Sequence, residues 1–245
     1  VKITFLGTRG YIEARNDRHR RHTATLVEYR GAKLMIDCGL DWEEEVFEID
    51  PDLIAITHAH PDHAFGLKDT APCPVHATQT SWDKLGAEGL ARFPDAMKHV
   101  VKDREPKTVR DITFEPFEVI HSLRAPAVGY RISAGRAAIF YVPDVVNIKE
   151  REAALKGVDA YIGDGATLDS PMVRRKDCQL FGHTTIRAQL GWCGQNGVDL
   201  AVFTHCGSQI VEGDERTLKP KLKEYAQERG VSDPRIAHDG DELVL

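Results

Sequence analysis

"THAHPDH", residues 57–63, places three histidines and an aspartate within six positions, directly after the apolar run "LIAI". A surface turn gathers so many ligand-type side chains only by chance. A metal site requires them, because imidazole and carboxylate are the usual nitrogen and oxygen donors to Zn²⁺ and related ions. His58 and His60 are two apart on a turn and can face one ion. Asp62 and His63 follow one tight bend later and can reach a second.

The pattern that ends "LIAIT" in His58 recurs along the chain. "LMI" is followed by Asp37, "FEVI" by His121, "IFYVP" by Asp144 and "AVFT" by His205. Strands that run together gather such residues at one sheet edge, where α/β proteins place their active sites. His58, His60, Asp62, His63, His121, Asp144 and His205 are therefore seven candidate metal ligands, five histidines and two aspartates. Divided between two ions, with one carboxylate shared, they fill two sites and leave room for a water.

Composition narrows the setting. Folds of this kind with 245 residues often form one domain, so residues 1–245 are read as one. A chain this long buries enough apolar surface to need no disulfides. The net charge of −6 argues against gripping long nucleic acids through a broad basic surface, but not against a small anion in a local basic pocket. Cys38, Cys73, Cys178, Cys193 and Cys206 are odd in number and form no C-x-x-C pair, which suits a reduced, cytoplasmic protein. "VKITFLGTRG" turns polar too soon for a signal peptide, and no apolar run is long enough to span a bilayer, so no membrane role is expected.

The element pattern is mixed α/β. "VKITFLG" alternates as a strand, and "TATLVEY" and "KLMIDCG" flank a hairpin turn at Gly31. "GYRISAG", "AAIFYVPD", "AYIGDG" and "DLAVFTH" read as further strands, several apolar throughout as expected for strands buried on both faces. "RIAHDGDELVL" reads as two short strands around Asp239-Gly240. Helices are expected in "NIKEREAALKG", in "TTIRAQLGWCGQNG" up to Gly197, and in the segment that stops at Gly230. Pro220 places the start of that last helix near itself. Clustered strands with interspersed helices suggest a two-sheet core with helices outside.

"HAHPDH" matches the H-x-H-x-D-H signature of the metallo-β-lactamase superfamily, and the chain resembles that family along nearly its whole length. "FLGT", "LMIDCG", "VIHSLRAPAVGYRI", "FYVPD", "FTHCG" and "AHDG" resemble family motifs in family order. The resemblance implies a four-layer αββα sandwich with two divalent ions, zinc first and manganese, iron or nickel as alternatives. By the same resemblance His58, His60 and His121 hold one ion, Asp62, His63 and His205 hold the other, and Asp144 bridges them. Asp37 then fixes the histidine loop from behind, and Asp62 also orients the hydroxide shared by the two ions, the nucleophile.

Such a site hydrolyses esters, amides, thioesters or phosphodiesters, so the metals do not choose the substrate. "GHTTIRAQ" resembles a segment of the phosphodiesterase branch, which includes RNase Z and the cyclic phosphodiesterase of phosphonate breakdown. The resemblance makes His183 a second catalytic residue, contacting the scissile phosphate and protonating the leaving oxygen, a role suited to histidine. The plainer alternative is a histidine beside a helix start, capped by Thr184. "RNDRHRRH", residues 15–22, is either a solvated basic loop or a lip that attracts phosphate. His121 and Asp144 are only 23 positions apart, which leaves no room for the long tRNA-gripping arm of RNase Z.

The expected function is thus a dinuclear phosphodiesterase acting on a small anionic substrate: a cyclic nucleotide, a cyclic sugar phosphate or a short oligonucleotide. The first alternative is a carboxyl ester or lactone hydrolase on the same fold, which needs neither His183 nor the basic loop. A glyoxalase-type thioester hydrolase would carry an added helical domain, a flavodiiron reductase more carboxylate ligands, and a β-lactamase proper a signal. A non-enzymatic metal-binding scaffold is the alternative outside enzymes, and it need not keep all seven ligands. A homodimer is the commonest assembly for such chains, although no patch in the sequence argues for one.

Overall fold

In the computed structural model, which describes residues 1–245, the apolar runs form two mixed sheets. The first holds β1 (Lys2–Gly7), β2 (Ala24–Tyr29), β3 (Ala32–Ile36), β4 (Leu53–Ala55), β5 (Val75–Thr78) and β6 (Lys98–Val101). The second begins with β7 (Lys107–Val109), β8 (Ile112–Ile120), β9 (Ala127–Ala134), β10 (Ala137–Tyr141), β11 (Asn147–Ile148) and β12 (Ala160–Asp164). β13 (Met172–Lys176) and β14 (Gln179–His183) make a separate ribbon. β15 (Leu200–Thr204) and β16 (Asp233–Ile236) complete the second sheet, and β17 (Glu242–Val244) returns to the first beside β1.

Both sheets change from antiparallel to parallel at the middle. In the first, β3, β4 and β5 run parallel. In the second, β10, β12 and β15 do. Their carboxyl ends therefore deliver Asp37, the 57–63 loop, Asp144 and His205 to one edge, as the strand-end pattern requires.

Burial explains the continuous apolar strands. Leu34 and Ile36 of β3 face the core between the sheets, while Met35 faces the outer layer of α1 (Val46–Ile49), α2 (Pro61–Ala64) and α3 (Gln79–Ala87). Ile139 and Tyr141 of β10 fill the central core, while Phe140 points outward. There it meets the layer of α4 (Arg151–Leu155), α5 (Ile186–Gln195), α6 (Ser208–Val211) and α7 (Glu215–Gln227). The result is the four-layer αββα sandwich. At the β2–β3 hairpin Arg30 and Gly31 both take positive φ, 48° and 78°, the geometry of a two-residue type I′ turn.

Two expectations need correction. The last helix starts at Glu215, not near Pro220: Asp214 caps it by accepting from the Arg216 amide at 2.9 Å. Leu218, Leu222 and Ala226 bury one face across the proline, and the Arg216 carbonyl that loses its helical partner is at an exposed residue, open to water. The helix expected from Asn147 is cut to Arg151–Leu155, because Asn147 and Ile148 pair with β8 as β11. The two strands expected around Asp239-Gly240 are present, one in each sheet. Asp239 pins the crossing by accepting from the amide and hydroxyl of Thr8 at 2.9 and 2.7 Å. No helix is long and apolar enough to cross a membrane.

Candidate metal centre

The 57–63 loop is held from behind before it presents any ligand. Asp37, fully buried and at φ 64°, accepts from the Thr57 amide at 2.8 Å and from the Thr57 hydroxyl at 2.9 Å. A left-handed backbone is tolerated best by glycine, asparagine and aspartate. The Cys38 amide donates to the His63 carbonyl at 2.7 Å. Gly39 lies so close to the Asp62 backbone that a Cβ would overlap its carbonyl. Pro61 opens the one-turn helix α2, so His58 and His60 precede the helix while Asp62 and His63 lie within it.

Two groups of ligand atoms result. His58 Nε2 is 2.8 Å from His60 Nδ1, which is 3.4 Å from His121 Nε2. Asp62 Oδ2 is 3.2 Å from His63 Nε2 and 3.1 Å from His205 Nε2. Asp144 lies between them: its Oδ2 is 2.8 Å from His63 Nε2, and its Oδ1 is 3.6 Å from His121 Nε2 and 3.5 Å from His205 Nε2. The structure thus brings all seven sequence-derived candidates together.

The remaining imidazole nitrogens are mostly tethered. His63 Nδ1 donates to Asp37 at 2.7 Å, and His121 Nδ1 donates to the Gly182 carbonyl at 3.0 Å. His58 Nδ1 meets the Thr57 hydroxyl and His60 Nε2 meets the Ser122 hydroxyl, at 3.1 and 3.2 Å. Such partners fix ring orientation and tautomer around metals. Asp37 is where the sequence placed it, behind His63.

The donor set fits divalent ions. His63 Nε2 and Asp144 Oδ2 are buried and close, yet neither makes a well-formed hydrogen bond. An unpaired buried polar atom costs about 1–3 kcal/mol, which a cation between them would relieve. Burial, reinforced by neighbouring imidazoles, holds His58 well below the usual histidine range and His60 down to about 4. Both are therefore in the neutral, metal-ligating form. Burial opposes the charge on Asp62 and Asp144, but the surrounding histidines outweigh it and keep both carboxylates well below their ordinary range.

His183, the last residue of β14, lies beside this centre. Its Nδ1 is 2.8 Å from Asp164 Oδ2 and 3.5 Å from Asp144 Oδ1. Burial works against its charge, but Asp164, by charge and hydrogen bond, raises it to about 9. Asp164 is fully buried and also accepts from the amides of Val145 and Ala166 at 2.9 and 2.8 Å. Sequence reading missed Asp164, although it too ends an apolar strand, in "AYIGDG". Thr185, not Thr184, caps α5, accepting from the Ala188 amide at 3.0 Å.

A cavity of about 680 Å³ opens over the centre, lined by His60, Asp62, His121, Asp144, His183 and His205, with Tyr11, Met172 and Gln209 among its walls. None of residues 15–22 lines it. Arg18 pairs with Glu215, Arg21 pairs with Glu45, and His22 Nδ1 is 3.0 Å from Asp41.

The sequence signature described as "Beta-lactamase superfamily domain" matches residues 33–206. A ribonuclease Z from Methanopyrus kandleri is 28% identical, the match covering 85% of this chain and 88% of that protein. Among solved structures, a diphosphatase of the PhnP family superposes with a TM-score of 0.75 at 21% identity, covering 99% of this chain and 96% of that one. Zn²⁺-bound PqqB from Methylobacterium extorquens superposes at 0.76 with 18% identity, over 100% of both chains.

Proposed function

The chain belongs to the beta-lactamase superfamily, and from that premise we propose that it is a two-metal phosphodiesterase. His58, His60 and His121 would hold one divalent ion, Asp62, His63 and His205 the other, and Asp144 both. Zinc is the first choice for such a donor set, with manganese, iron or nickel as alternatives. Bound there, the ions would supply an activated water at neutral pH and stabilise charge developing on a substrate oxygen.

The observation that carries the phosphodiester reading is the His183–Asp164 pair in the cavity wall. Asp164 accepts from Nδ1 and leaves Nε2 of His183 to face substrate. Asp164, by charge and hydrogen bond, favours the doubly protonated ring. The ring gives its second proton to the departing oxygen as the P–O bond breaks, and takes another from water afterwards. Asp62, one carboxylate oxygen engaged with His63 and His205, orients the attacking water with the other. Ester or lactone hydrolysis on the same fold would not require the His183–Asp164 pair. The relative named ribonuclease Z supports a phosphodiester as the bond cleaved.

A small substrate suits the cavity: a cyclic nucleotide, a cyclic sugar phosphate or the end of a short oligonucleotide. The unpaired state of all five cysteines suits a reducing compartment such as the cytoplasm. The test compares bis-(p-nitrophenyl) phosphate and a 2′,3′-cyclic nucleotide with a p-nitrophenyl carboxyl ester on metal-loaded protein. Phosphodiester turnover should dominate, and His183→Ala should retain its metals while losing most cyclic-nucleotide turnover. Ester turnover alone would move the protein to the esterase and lactonase side.

A further inference from the structure

The β13–β14 ribbon stands apart from both sheets, and its root is built into the metal centre. The Gly182 amide donates to the His121 carbonyl at 2.7 Å, and His121 Nδ1 donates back to the Gly182 carbonyl at 3.0 Å. Met172 pairs with His183 across the ribbon, and both line the cavity. Beyond this root every residue of β13 is exposed.

That exposed strand carries three consecutive cations, Arg174, Arg175 and Lys176, in a chain of net charge −6. Most arginines near an acid are engaged, as Arg18, Arg21 and Arg104 are. The three ribbon cations pair with no carboxylate. Alternation along a strand puts Arg174 and Lys176 on the Met172 side, the side of the cavity, while Arg175 lines a second hollow on the other side. Phe181, half-buried, is the cross-strand partner of Arg174. From His183 outward, one face of the ribbon therefore offers an aromatic ring and two cations about 7 Å apart.

We propose that this ribbon is a recognition arm for a short single-stranded oligonucleotide, with backbone phosphates on Arg174 and Lys176 and a base against Phe181. The assignment rests on the phosphodiesterase reading, and it names the substrate class that reading leaves open. Guanidinium and ammonium groups suit phosphate oxygens, and stacking on an aromatic ring tolerates any base. The arm carries the strand past the cavity mouth, while the terminal phosphodiester enters the cavity beside His183. Two phosphate contacts are too few to grip a long duplex, consistent with the acidic remainder of the chain.

The test measures binding of a 5′-fluorescein oligothymidylate to metal-loaded protein by anisotropy, for wild type and for Arg174→Ala/Lys176→Ala. The double variant should bind roughly 5- to 30-fold more weakly, since each exposed contact is modest. Its salt dependence should flatten by about 1.4 in the slope of log K against log salt. An oligomer with neutral methylphosphonate linkages should not distinguish the two proteins. Both proteins should cleave bis-(p-nitrophenyl) phosphate equally, because that substrate ends short of the arm. Unchanged oligonucleotide affinity and salt slope, with small-diester cleavage intact, would overturn the arm and leave the phosphodiesterase reading standing. So would binding of anionic phospholipid vesicles that needs these cations while oligonucleotide binding does not. Cation-dependent oligonucleotide binding without cleavage of any diester would uphold the arm and overturn the reaction.

Discussion

Replacing Asp164 by asparagine removes one charge and keeps the shape of the side chain. Asp164 Oδ2 accepts from His183 Nδ1 and the Val145 amide, and Oδ1 accepts from the Ala166 amide. The asparagine oxygen can replace only one of these acceptors. Its NH2 group then faces a backbone donor, at a cost of about 1–3 kcal/mol in stability. The larger consequence is for His183. Burial weighs against the charged ring and Asp164 is the largest influence raising it, so removing that charge should lower the ring's pKa. On the basic limb of the profile each unit of downward displacement lowers the protonated fraction, and with it kcat/KM, about tenfold, while at a pH below both midpoints the deficit should vanish. Bound cations lower the ring in both proteins, so the displacement between the two profiles is the quantity predicted. The assay is the pH dependence of kcat/KM for a 2′,3′-cyclic nucleotide, whose departing ribose oxygen needs the proton. Bis-(p-nitrophenyl) phosphate, with a better leaving group, should show a smaller deficit. A variant whose basic limb stays in place, with activity lowered equally at every pH, would refute the role given to His183.

Asp144→Ala should leave His63, His121 and His205 without their shared carboxylate and reduce bound metal below the wild-type content by elemental analysis. Asp37→Asn, which weakens the hold on His63 Nδ1 and Thr57, should lower metal affinity about 10- to 100-fold in a competitive chelator titration. Gly39→Ala should press on the Asp62 carbonyl and lower both melting temperature and metal content, whereas Gly31→Ala, with open space around it, should leave metal content unchanged. In metal-free protein His19, His60 and His76 are each held down to about 4, chiefly by burial. The unfolded chain then binds more protons than the folded one between about pH 4 and 6.5, so stability should fall as pH drops through that window. Denaturant melts across the range check this, and a flat profile would contradict it.

His58, His121, Asp144 and His205 were legible because each follows an apolar run at its carboxyl end, and His60, Asp62 and His63 because they crowd the loop that begins there. The end of such a run marks where a buried strand leaves the core, and parallel strands bring those exits together. Asp164 obeys the same rule at the end of "AYIGDG", so the signal that finds it was present in the sequence. Which sheet a strand joins is not written in its periodicity, so only the fold shows that β16 and β17 belong to different sheets. The ribbon left no periodic signal at all: "MVRRK" faces water on both sides, and nothing buried imposes alternation. Residues 15–22 suggested a phosphate lip by charge alone, and only the fold shows Arg18 and Arg21 turned to Glu215 and Glu45. Pro220 misled because one lost backbone bond weighs less than the apolar stripe of Leu218, Leu222 and Ala226.

The most direct test of a two-metal phosphodiesterase is a zinc titration of metal-free protein, following hydrolysis of a 2′,3′-cyclic nucleotide. Turnover should rise from background and level off at two ions per chain. A plateau at one ion, or no cyclic-nucleotide hydrolysis at any zinc loading, would contradict it.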